Sequence, residues 1–214
     1  MAVRLQEIHP SIVHYPIALI PTAVGADLLA NLTGSERLAE VGRLLMPVAA
    51  ASAAVSAFFG IVAQEEVNAE GKAGEILATH RNMNLALTAL GTVMAAWRWR
   101  RSEATPGYLA LGLAGIGALG YSAYLGGKMV YEHGVGVKPA DGLRYGDSPE
   151  LAPGEFREAV RRTVEDVQIG VPRAIDEMRE GRIAPSFAAD LENPTAAPPT
   201  GRSVEGSGPA ELAL

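Results

Sequence analysis

No cysteine occurs anywhere in the 214 residues. That absence removes disulfide frameworks, thiolate zinc sites, iron–sulfur clusters, covalent c-type haem attachment and cysteine nucleophiles. Any metal or prosthetic group must be held by nitrogen, oxygen or thioether ligands. Positive charge is scarce too: 18 Lys and Arg against 24 Asp and Glu leave a formal net charge of −6. No basic stripe follows a phosphate backbone, which excludes nucleic acid as a partner. Hydrolytic and nucleotide-binding signatures are missing as well, with no Gly-x-Ser-x-Gly, no His-Glu-x-x-His and no phosphate-cradling loop.

What the chain does have is apolar length. The overall 48% hydrophobic content hides two unlike halves. Residues up to about Val137 are rich in Ala, Leu, Gly and Val, and the remainder is acidic and Pro-containing. A spanning helix needs about 20 mostly apolar residues. Ile12 to Leu32 meets this with one acid, Asp27; Leu44 to Ala63 is uncharged; Tyr108 to Tyr131 is apolar except for Lys128. Met83 to Trp97 is clean but short, and reaches spanning length only by taking in His80, Arg81, Asn82 and Asn84. Trp97, Trp99, Tyr108 and Tyr131 fall at span ends, as an aromatic belt would place them. A soluble bundle and a cleaved leader are the competing readings. Uncharged runs of this length disfavour the first, and His9, Pro10, His14 and Pro16 in the leader region disfavour the second.

The expected fold is therefore all-α: a four-helix transmembrane bundle over residues 1–138, a short amphipathic helical extension over 139–184 and a disordered C-terminal tail over 185–214. The extension runs from Pro153 to about Arg182, with Phe156, Val160, Val164 and Val167 on one face, and Pro172 is expected to break it in two. The tail repeats Pro, Gly, Ser, Thr and Ala with few large apolar residues.

All four histidines stand at ends of apolar segments. His9 and His14 open the first, His80 opens the third and His133 closes the fourth. Alternating spans put them in one layer at one membrane face. Small-residue seams let membrane helices approach closely, and three of them end in a histidine: His14, Ala18, Pro21, Gly25; His80, Asn84, Thr88, Gly91, Ala95; and Gly112, Gly115, Leu119, Ser122, Gly126, Met129, His133. Ionisable side chains at membrane depth are costly unless bound or paired. Histidines alone on apolar helices are the ligand set of a non-covalent haem b, and bare glycine backbone lets a macrocycle approach. The expected cofactor site is His14, His80 and His133, two of them axial, with His9 behind, and with Gly126 and Gly127 beside His133.

Other chemistries compete. The same His14, His80 and His133 would serve zinc or copper. Glu65 or Glu66, Lys128 and the histidines would make a proton path. Interfacial histidines that only cap helices are the plain alternative.

Lys and Arg near the span ends tie, with Arg37, Arg43, Arg98, Arg100 and Arg101 at one end and Arg4, Lys72, Arg81, Lys128 and Lys138 at the other. The compact Arg98, Arg100, Arg101 cluster, set against Glu65, Glu66, Glu70 and Glu75, tips both termini and the histidines to the extracytoplasmic side.

Two stretches carry a family resemblance. His9-Pro-Ser-Ile-Val-His14-Tyr-Pro-Ile-Ala-Leu resembles the opening, and Leu125-Gly-Gly-Lys-Met-Val-Tyr-Glu-His133-Gly-Val-Gly-Val the fourth-span ending, of the bacterial four-helix membrane family named domain of unknown function 2231. His80 matches its third histidine position. The likeness covers about residues 8 to 138 and implies a multi-pass protein of the bacterial inner membrane. Relatives joined to Rieske-type or cytochrome c domains imply electron transfer, by analogy alone. This chain lacks the cysteines of either domain, so a redox role needs a separate redox protein besides the bilayer. The functional expectation is a haem b (or metal) electron carrier rather than an enzyme. A non-catalytic anchor or assembly factor for a redox complex is the alternative.

Overall fold

A computed structural model of the chain describes residues 4–137 and 153–186. The link at 138–152, which holds Lys138, and the tail from 187 onward lie outside the described residues. Among those described, the regular elements are all helices: α1 (Leu5–Ile12), α2 (His14–Thr33), α3 (Glu36–Glu66), α4 (Gly71–Trp99), α5 (Pro106–His133) and α6 (Phe156–Arg179).

Local chemistry explains the ends of these helices. Gly34 takes the left-handed conformation (φ 69°) that closes α2, and Ser35 then caps α3 by accepting from Leu38 N–H at 3.4 Å. Thr105 caps α5 ahead of Pro106, and Gly134 (φ 64°) ends it. Between α1 and α2 the chain is hardly interrupted, because Val13 keeps right-handed helical angles. His9 therefore belongs to the first span. Pro16 has no N–H to offer the Ile12 carbonyl, and the Ser56 hydroxyl on α3 donates to that carbonyl instead, at 3.4 Å. A neighbouring helix thus repairs the proline defect, as a bilayer interior requires.

α2, α3, α4 and α5 run up-down-up-down. Each packs on the next in the chain, and α5 returns to α2. Among the described residues three segments are long and apolar enough to cross a membrane: Leu5–Thr33, Glu36–Glu66 and Pro106–His133. α4 has 29 residues but carries polar side chains in its first half. Its depth follows from α5. Gly126 faces the His80 ring and Gly112 faces Met94, so the two helices run antiparallel and in step over 14 residues, about 21 Å at 1.5 Å per residue. α4 thus traverses the same height as α5.

The end away from the histidines is closed by a buried ion pair. Asp27 and Arg98 are both 0% exposed at the side chain and lie 2.9 Å apart. Arg98 Nε donates to Asp27 Oδ1, Nη1 to the Arg101 carbonyl and Nη2 to the Ala39 carbonyl, so one guanidinium joins α2, α3 and α4. A Cβ on Gly42 would stand 2.2 Å from Asp27 Oδ1, so glycine is what admits the carboxylate. Tyr108 is buried here with Val24, Met46 and Met94, its ring edge-on to Trp97. Of the expected aromatic belt only Trp99 and Tyr131 are well exposed.

Pro172 does not break α6, which is continuous. Pro172 and Gln168 are both exposed, so water can satisfy the carbonyl that the proline leaves unpaired. Ion pairs on both sides of it, Arg162–Glu66 at 2.8 Å and Glu177–Arg81 at 2.8 Å, hold the two halves on one surface. The docked segment continues past α6. Asn82 donates to the Arg182 and Ile183 carbonyls, and the Ser186 hydroxyl bonds to Thr79 at 2.8 Å, two residues beyond the expected boundary of the extension.

Candidate histidine-pair site

The opening turns of the first span and of α4 bring two histidines together. The rings of His9 and His80 have centroids 6.3 Å apart and planes at 85°. Each ring is anchored across a helix interface in the same way. His9 Nδ1 lies 2.9 Å from the Ser56 carbonyl of α3, and His80 Nδ1 lies 2.9 Å from the Ser122 carbonyl of α5. A carbonyl only accepts, so in both rings Nδ1 carries the proton and Nε2 presents a lone pair.

The surroundings repeat as well. One turn after each anchoring serine is a glycine whose added Cβ would crowd the ring: Gly60 at 3.2 Å from His9 Cε1 and Gly126 at 3.3 Å from His80 Cε1. The two anchors are one short motif used twice, Ser56-Ala-Phe-Phe-Gly60 and Ser122-Ala-Tyr-Leu-Gly126. Serine supplies the accepting carbonyl, and glycine four residues on supplies the room, on the same helix face.

His9 Nε2 has no hydrogen-bond partner among the described residues. His80 Nε2 lies 3.2 Å from Asn84 Nδ2, but that amide is 2.8 Å from the His80 carbonyl and 2.7 Å from Ser122 Oγ. An amide has two protons, and the two nearer acceptors engage both. His9 Nε2 is therefore open to a ligand, and His80 Nε2 keeps only the longest of the Asn84 amide contacts. His9 and His80 would be the residues to hold a metal or haem group here, their ring centroids being 6.3 Å apart.

The other expected site residues lie elsewhere. His14 is exposed on α2, and Ala18 of its expected seam is exposed too. The buried face of α2 is Pro16, Ala23, Val24, Ala26, Asp27 and Ala30. Five residues separate His9 from His14, a rotation of about 140° on one helix, so when one faces inward the other faces out. His133 is half-buried in the last turn of α5, and its Nε2 is buried without a partner. Gly126 adjoins the pair, whereas a Cβ on Gly127 would meet only Tyr131 of its own helix. Among the described residues no three His, Asp or Glu side chains gather as a metal site. Glu65 and Glu66 face α6 instead, pairing with Arg173 and Arg162.

Two signals for the inward face were present in the sequence: the repeated Ser-Ala-aromatic-x-Gly and the lone acid Asp27, which had to face a partner. Small residues alone pointed to the wrong face of the first span, since small side chains also tolerate lipid.

Long apolar helices with a polar pair between them define a multi-pass helical membrane protein. The chain matches the family of predicted membrane proteins DUF2231 over residues 6–139 and belongs to it. α6 and the tail fall outside the matched region. No curated protein and no solved structure matches the chain.

Proposed function

We propose that this protein holds one haem b between His9 and His80, near one face of the membrane, and passes electrons to a separate redox protein. The observation that supports the reading is the ring pair, with both Nδ1 atoms anchored on carbonyls, His9 Nε2 without a partner among the described residues and His80 Nε2 met only by the Asn84 amide at 3.2 Å. Gly60 and Gly126 make the cradle. When bound, haem supplies reversible one-electron chemistry. The protein's part is to orient the imidazoles through the Ser56 and Ser122 carbonyls, which also raise ligand basicity, and to exclude water.

A zinc or copper site built on His14, His80 and His133 has less support, because the pair joins His80 to His9. The reading keeps the histidine end on the extracytoplasmic side of a bacterial inner membrane. Burial takes Arg98 out of the charge cluster that favours this, leaving Arg37, Arg43, Arg100 and Arg101 at the opposite end. Membrane-impermeant labelling of Glu103→Cys in intact cells tests it, with protection expected.

The test of the site is an absorbance spectrum of the purified protein in detergent, from cells supplied with haem. A Soret band that shifts on dithionite reduction is expected, as is a strongly anisotropic low-spin ferric resonance from near-perpendicular ring planes. His9→Ala and His80→Ala should each lose it, and His14→Ala and His133→Ala should keep it. A colourless protein without iron would overturn the proposal and leave the anchor or assembly role standing.

A further inference from the structure

α6 meets the bundle in an uneven way. On α6 the docking residues run from Ala159, packed with Leu5 and Val62, to Glu177, paired with Arg81. That is about 27 Å of helix at 1.5 Å per residue. On α3 the partners lie between Ile61, which faces Gly170, and Glu66, which pairs with Arg162, only about 7.5 Å of rise. A long helix touching so short a stretch of another crosses it steeply. α6 therefore runs across the bundle axis, at the level where the spans end.

The side of α3 that it uses is informative. Phe58 stands three residues before Ile61 and seven before Glu65, on the same helix face, and is 44% exposed; Val55, a turn deeper, is 50% exposed. In a membrane-spanning helix that exposed wall faces lipid. α6 is thus hung on the outer wall of α3 at its upper edge, and it is not seated on top of the bundle.

Beside its docked face α6 carries a second stripe. Phe156, Val160, Val164, Val171 and Ile175 fall within about 100° of arc and are 36% to 57% exposed. Glu158, Arg161, Glu165 and Asp176 occupy the far side, paired among themselves or with Arg179. An amphipathic helix at headgroup level, with charges on one side and an uncovered apolar stripe continuous with a lipid-facing wall, has the form of an interfacial helix.

We propose that α6 lies in the membrane plane at the histidine end, with the Phe156–Ile175 stripe seated in the lipid at the boundary between headgroups and acyl chains. The ion pairs to Glu65, Glu66 and Arg81 fix its position, and the lipid covers the stripe.

The chain has no cysteine, so single nitroxide labels report one position each without background. Full-length Val164→Cys, Val171→Cys, Glu158→Cys and Phe58→Cys proteins would be labelled and reconstituted into vesicles of phosphatidylcholine and phosphatidylglycerol. Positions 164 and 171 should collide with oxygen several-fold more, relative to a water-soluble nickel chelate, than position 158 does, and should approach position 58. Phe58→Cys is the lipid reference that certifies a folded, inserted sample. Nickel accessibility at 164 and 171 equal to that at 158 would overturn the proposal. So would low access to both reagents with dipolar broadening between copies, which would mean that a second chain covers the stripe. Neither outcome depends on haem.

Discussion

The two ends of the bundle bury polar groups for different purposes. At one end Asp27 and Arg98 answer charge with charge, and every guanidinium nitrogen has an acceptor on α2, α3 or the loop after α4. The guanidinium is fully engaged there, although Asp27 Oδ2 and the Tyr108 hydroxyl are buried beside it without a hydrogen-bond partner among the described residues. At the other end His9 and His80 use one ring nitrogen each to tie helices together, leaving the second without a partner among the described residues in His9 and in a 3.2 Å contact with the Asn84 amide in His80. Buried polar groups usually use what they carry. The proposed haem site rests on this arrangement, rings anchored at Nδ1 with Nε2 turned to other uses. The contrast is between a charge pair closed on itself and a ring pair anchored by one nitrogen each.

The contrast is most exposed to mutation at the clamp. Removing one partner of a buried pair strands a charge, so Asp27→Ala or Arg98→Ala should cost about 3–5 kcal/mol. The loss would be read as a lowered unfolding temperature in detergent. The double variant Asp27→Ala/Arg98→Met should recover part of it, because no charge is then stranded. Equal losses in single and double variants would show that packing, not charge, holds this end.

At the histidine end the effect should fall on ligand and not on fold. Gly60→Ala and Gly126→Ala place a Cβ at 3.2 and 3.3 Å from the ring carbons. Each should lower haem occupancy or shift the low-spin spectrum while leaving thermal stability within about 1 kcal/mol, since alanine is the better helix former. Unfolding without a spectral change would make these glycines packing residues only.

A smaller effect is expected where α6 docks. Burial, and then the neighbouring Glu66 carboxylate, push the Asp166 carboxyl up to about 7, against the partial opposition of Arg162, with Glu65 adding to the rise. A raised carboxyl favours the docked helix fully below its free value of 3.8, and that favour is lost as pH rises through about 7. Proteolysis within α6 should therefore quicken as pH rises from about 4 to about 7 and level off above, a window set by the free and docked values. Asp166→Asn should flatten the dependence. The Glu65–Arg173, Glu66–Arg162 and Glu177–Arg81 pairs also hold α6 to the bundle. The least effect is expected at His14, whose exposed ring should be replaceable by alanine with no change in spectrum or melting.

Much of the fold was legible because its signals are local. Gly34-Ser35 and Thr105-Pro106 mark a helix end and two starts by their own conformational preferences. Apolar runs near 20 residues mark spans, since the bilayer sets their length. The site was legible in part. Alternation of spans placed the opening of the first span and His80 at one end, and the contact between His9 and His80 agrees. Which of His9 and His14 turns inward was not legible from small residues, because that depends on helix rotation. Val13 keeps the helix phase running, and Asp27, eighteen residues after His9, fixes the inward face by its need for Arg98.

The sequence by itself determined that four long helices precede an amphipathic segment, that the first span and the helix of His80 open at the same end, and that thiol chemistry is absent. These follow from length, hydropathy and residue type, which need no partner to express. Only the tertiary structure decided that Asp27 meets a guanidinium 71 residues away, that His9 and not His14 meets His80, and that α6 runs unbroken through Pro172. Each of these is settled by contacts between distant segments. A helix's rotation about its own axis, and the tolerance of a proline within it, are fixed by what packs against it.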